Sequence, residues 1–219
     1  MTLSQNYKYA SYLALAAGLG ISSMLVIMLL YPNSNPHHFE QIITVKEYSQ
    51  QMLANQWPLR AIMAFDNMYM IFLAALFIFA INAVRNEKNS IIVYAALIPV
   101  FVTYLLDVFE NQHTTTLLFQ LTKDIPISQA DINLQSTATL MKFHAGQLGY
   151  FLIAFFLHHD TKLEKVIRFI LLFVLIPFSV MQYPFSDFNP SNLGTYFSIA
   201  IALYLISYAF YQRSKRKQA

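Results

Sequence analysis

Residues 103–113, TYLLDVFENQH, close an apolar run that begins at Ile91, and they set Asp107, Glu110, Asn111 and His113 at its end. A run of this length reads as a membrane span, because a helix needs about 20 mostly apolar residues to cross a hydrocarbon core of about 30 Å. The composition agrees. Of 219 residues, 57% are hydrophobic, 16% aromatic and only 11% charged, whereas soluble domains carry about 25% charge. Several further stretches reach spanning length. The chain is expected to be an all-α, polytopic membrane bundle.

Six spans are expected, at roughly 8–31, 60–84, 91–111, 137–158, 164–184 and 193–212, forming a single domain over 1–219. The first apolar run exceeds the 7–15 residues of a signal-peptide core and no A-x-A site follows, so it reads as a retained span. Pro58, Asn89-Ser90 and Asn189-Pro190-Ser191 stand where helices start. The pairs Thr44/Glu47, Ser128/Asp131 and Thr161/Glu164 have capping-box spacing. The second of these predicts that the fourth helix starts in the aqueous loop. The first opens VKEYSQQML, expected as a short surface helix beside Trp57.

Lys8, Arg85, Lys88, Lys162, Lys165, Arg168, Arg213, Lys215, Arg216 and Lys217 fall on one side of a six-span chain. Lys46, Arg60 and Lys123 fall on the other. Positive residues mark the cytoplasmic side, so both termini are expected there. The formal charge of +3 then reports topology, and no nucleic-acid partner is implied. The expected location is the plasma membrane, the inner membrane of a prokaryote. Cysteine is absent, which excludes disulfides, thiolate metal sites and thiol nucleophiles.

With that topology, three spans deliver polar groups to one layer beneath the outer surface: Asp66 and Asn67, then Asp107, Glu110 and Asn111, then Lys142 and His144. Thr103, Asp107, Glu110 and Thr114 are spaced as one helix face. His144 and Gln147 share a face, while Lys142 lies about 200° from His144 and in line with Ala145, Gly146 and Gly149. His144 is therefore an expected pocket member, while the flexible stem of Lys142 can still curl toward the outer surface or toward Asp107. Gln182 is expected to complete the wall. Three potential carboxylates then face one obligate cation, and buried carboxylates need a proton, a partner or a metal.

The candidate catalytic residues are Asp107, Glu110 and His144, with Asp66, Asn67, Asn111, Lys142, Gln147 and Gln182 as pocket residues. Asp66, Asp107, Glu110 and His144 supply the oxygen and nitrogen donors a divalent metal takes. Metal-activated water would then hydrolyse a lipid-like substrate. Glu110-x-x-His113 has di-iron spacing but occurs once, H-E-x-x-H is absent, and the last two spans contain no His. The alternatives are a proton- or cation-coupled carrier and a non-catalytic assembly protein. Membrane lipids are the expected partners, with a homo-oligomer or partner membrane subunit as a further possibility. The line Ala10, Ala14, Gly18, Ser22 is a small-residue packing stripe. The pairs His37-His38 and His158-His159 read as polar termini.

Overall fold

The computed structural model describes residues 2–41, 43–84, 90–156, 160–174 and 192–216. All secondary structure among the described residues is helical, with no strand. Helix α1 spans Leu3–Leu30, and a 3-10 turn at Pro32–Ser34 leads into the single-turn α2, Pro36–Phe39. Then follow α3 (Val45–Ala54), α4 (Gln56–Val84), α5 (Ser90–Leu121) and α6 (Gln129–Ala154). Helix α7 (Lys162–Phe169) runs into a π-helical turn at Ile170–Val174, and α8 spans Asn192–Arg216.

Among the described residues, three helices are long and apolar enough to cross a membrane: Leu3–Leu30, Gln56–Val84 and Val93–Leu121. Gln182 and the His158-His159 pair lie outside the described residues.

The helix ends follow local chemistry. Thr2 with Gln5, Ser128 with Asp131 and Thr161 with Glu164 form reciprocal capping boxes. Thr44 caps α3 by accepting from the Glu47 amide, while Glu47 accepts from Gln51 Nε2 at 3.3 Å. Helix α5 projects further than expected, to Leu121 instead of about 111, while α6 starts at Gln129, after the Ser128 cap as expected. Leu117, Leu118, Ile127 and Ile132 explain this. They pack with Phe39, Tyr48, Met52 and Leu59 into an apolar cap at that end of the bundle.

Neighbouring helices are antiparallel. Helix α1 packs on α4 and α8, and α5 packs on α6. The expected small-residue stripe is used inside the chain: Ala10, Ala14 and Gly18 are buried, and a Cβ on Gly18 would lie 2.9 Å from the Tyr204 ring. Ser22 Oγ meets Tyr204 OH at 2.8 Å. Ser11 and Ser207 each bond the other's backbone carbonyl, and Ser4 Oγ donates to Ser214 O at 2.9 Å. The start of α1 and the end of α8 therefore meet at the same end of the bundle. There Arg213 Nη2 lies 2.8 Å from Asp160 Oδ2 and from Glu164 Oε2, joining α8 to the start of α7. The other end holds the polar layer and the apolar cap.

Candidate functional site

Asp66 lies ten residues into α4, about 15 Å along its axis. Because α5 runs antiparallel, it brings Asp107, Glu110 and Asn111 back to that depth about three to four turns before its end at Leu121, and α6, which starts at Gln129, brings Lys142 to the same level. The stripe read from the sequence faces α6: Asp107, Glu110 and Thr114 are buried. Thr114 Oγ1 accepts from Gln135 Nε2 at 2.8 Å, and Thr103 Oγ1 lies 3.5 Å from Lys142 O.

Lys142 sits at the centre. Its Nζ lies 2.9 Å from Asp107 Oδ1 and 2.7 Å from Glu110 Oε2, with all three side chains nearly buried. Asn111 Nδ2 donates to Asp66 Oδ2 at 2.8 Å and Asn67 Oδ1 at 3.1 Å, and it reaches Asp107 Oδ2 at 3.5 Å. One amide thus draws together three oxygens from two helices. No cation lies within ion-pair distance of Asp66 among the described residues.

The face assignment on α6 is corrected by these contacts. Lys142 points into the network, and His144 is exposed, its Nδ1 within 2.7 Å of Leu140 O. The two are about 200° apart, so either choice excludes the other. Gly146 and Gly149 decide it. A Cβ on Gly149 would stand 2.7 Å from Val100 Cγ2, so α6 presses this small-residue face on α5 and carries Lys142 inward with it. Gln147 shares the His144 side and makes no hydrogen bond to the network among the described residues. His113 is also used elsewhere: its Nε2 pairs with Asp131 O at 3.0 Å and its ring stacks on Phe109.

The layer has a member the sequence did not reveal. Glu40, just past α2, is nearly buried and pairs with His37 Nδ1. Its carboxyl faces Glu110 and Lys142. Burial alone would raise it, but the His37 charge and hydrogen bond prevail and hold it down at about 2. The His37 ring also packs near Phe143 and Tyr196, with centroids 6.0 and 5.7 Å away. A loop thus folds back over the network. The carboxyls of Glu40, Asp66, Asp107 and Glu110 surround Lys142, and Glu40 also pairs with His37.

The donor set suits a divalent metal poorly. The Lys142 ammonium stands between Asp107 and Glu110 where such an ion would bind, and His144 is turned away. Among the described residues no group of three His, Cys, Asp or Glu side chains is arranged to hold a metal.

Beneath the network lies a narrow crevice with room for about one water molecule. Helix α4 lines it with Met70, Leu73 and Ala74, α5 with Val100, Thr103 and Tyr104, and α6 with Gly146 and Tyr150. Thr103 Oγ1 donates to Pro99 O at 2.9 Å, which leaves the walls largely apolar. No protein-family model, no curated protein and no solved structure matches this chain.

Proposed function

We propose that the chain is a multi-pass membrane protein that binds a monovalent cation at this network, in exchange for a proton. One observation carries the reading: Asp66 and Asp107 converge on Asn111, while Lys142 is engaged by Asp107 and Glu110. Asp66 is the acid of the layer with no cation within ion-pair distance among the described residues. A carboxyl at that depth is stable when protonated or when a cation joins it, and costly when bare.

In this reading the bundle has six spans and forms one domain. Both ends are cytoplasmic and the network lies beneath the outer surface of the plasma membrane. Support comes from the Lys and Arg distribution and from the meeting of α1 and α8 at one end. Membrane lipids cover the exposed Leu, Ile and Phe side chains of α1, α4 and α5. A lipid hydrolase built on Asp107, Glu110 and His144 has less support, because the ammonium fills the gap between the acids and His144 is on the other face.

Addition of Na+, K+ or methylammonium to purified protein in weakly buffered detergent is expected to release protons, read with a pH-sensitive dye. Asp66→Asn is expected to abolish the release. Wild-type protein that releases none with any of these ions would end the cation-binding reading. A second reading, a purely structural latch, is favoured by the double engagement of Lys142. It predicts that Asp66→Asn changes thermal stability alone.

A further inference from the structure

We infer that His37 is the proton port of the network, the group through which a displaced proton reaches water. The inference rests on the cation-binding reading and names the route its proton takes. Position carries it. Asp66, Asp107, Glu110 and Lys142 belong to long helices, whereas His37 and Glu40 belong to the short segment between α1 and α3. That segment is pinned. Pro36 and Phe39 are buried, Phe39 stands edge-on to Tyr48 with ring centroids 5.5 Å apart, and the Asn35 side chain accepts from the His37 amide. Three positions apart on one helical turn, His37 and Glu40 share a side and pair through Nδ1.

The pair is joined to the network. The Glu40 carboxyl is within hydrogen-bonding reach of that of Glu110, and Glu110 Oε2 lies 2.7 Å from Lys142 Nζ. Phe143 marks the same junction: its ring lies 6.0 Å from the His37 ring, and Lys142 Nζ stands 5.3 Å from its centroid. From α8 comes Tyr196, 5.7 Å from the His37 ring. The titratable groups around His37 are thus Glu40, Glu110, Lys142 and Tyr196. The His37 side chain is 19% exposed, and its Nε2 makes no hydrogen bond among the described residues. An imidazole held at one nitrogen and open at the other can pass protons. The transfers balance. Nε2 gives a proton to water, which removes the charge that held Glu40 low. Glu40 then takes a proton from Glu110, which is refilled from Lys142, and Lys142 from Asp107. Asp107 is refilled from Asp66, whose carboxyl shares Asn111 Nδ2 with it. The pair of His37 and Glu40 ends with as many protons as it began with, Asp66 has lost one, and the bound cation stands in its place.

The test is the rate of proton release from the full chain in detergent at saturating methylammonium, followed by stopped flow with a pH-sensitive dye. His37→Gln keeps a side-chain donor for Glu40 but carries no proton outward, and His37→Ala is the second variant. Both are expected to release as many protons as wild type, at least about tenfold more slowly. Added 2-(N-morpholino)ethanesulfonate, a buffer that is never a net cation, should restore the rate. His38→Ala, exposed and one residue on, should keep the wild-type rate. A wild-type rate in the His37 variants overturns the inference and leaves the cation-binding reading standing, as does equal slowing in His38→Ala. Slowing that the buffer does not relieve, or a smaller total release, overturns it too, because His37 then serves the fold or the site and not the way out. Wild-type protein that releases no protons removes both readings.

Discussion

Lys142 is the side chain on which the polar layer depends. Its ammonium pairs with both Asp107 and Glu110 in a place that water reaches poorly. Removing one partner of a buried ion pair leaves the other charged and unsolvated, at a cost of about 3–5 kcal/mol. Lys142→Met is therefore expected to destabilise the bundle by that amount in detergent unfolding, and Lys142→Met with Asp107→Asn by less than the sum of the singles. Tyr48 makes the opposite case. It is fully buried and its hydroxyl has no hydrogen-bond partner among the described residues. An unpaired buried polar group costs about 1–3 kcal/mol, so Tyr48→Phe is expected to hold or raise the melting temperature. A fall would show that the hydroxyl has a partner in solution.

Elements add their own tests. Helix α6 approaches α5 at Gly149, where a methyl group would collide with Val100. Gly149→Ala is expected to cost about 1–3 kcal/mol by overpacking, measured by the same unfolding, while Gly146→Ala costs less. The turn at α2 carries a pH dependence. Folded Glu40 sits at about 2 against an ordinary 4.5, because His37 outweighs the effect of burial. A depressed carboxyl contributes stability that is fully present above its unfolded value and is lost as pH falls through its folded value. Melting temperature should therefore fall from about pH 5 towards pH 2, and His37→Ala or Glu40→Gln should flatten that limb. A wild-type limb that both variants leave unchanged would mean that other carboxyls produce it.

Over the whole molecule, the topology is directly measurable because the chain has no native cysteine. Lys123→Cys, beyond the end of α5, and Lys215→Cys, near the end of α8, should label from opposite sides of the membrane with an impermeant maleimide. Labelling of both from one side would overturn the six-span arrangement and the outer placement of the network. The contacts that set the bundle explain how much was legible beforehand. Helix starts at Ser128 and Thr161 were readable, since a cap is made by residues three apart. The stripe Thr103, Asp107, Glu110 and Thr114 was readable for the same local reason. The length of α5 was not, because the apolar cap that extends it includes Phe39 and Tyr48 from distant segments.

Composition and periodicity alone determined that this is a greasy helical chain with acids, an amide and an amine from three helices at a common level. Those properties are intrinsic to short stretches: apolar length, the 3.6-residue repeat and the chemistry of caps. Periodicity states the angle between Lys142 and His144 but cannot say which of them faces inward. The close approach of α6 to Val100 at Gly149 decided that. Glu40 and His37 likewise joined the layer only through the folding of α2 back over the bundle. Such choices depend on which surfaces of separate helices meet, and no single stretch of chain contains that information.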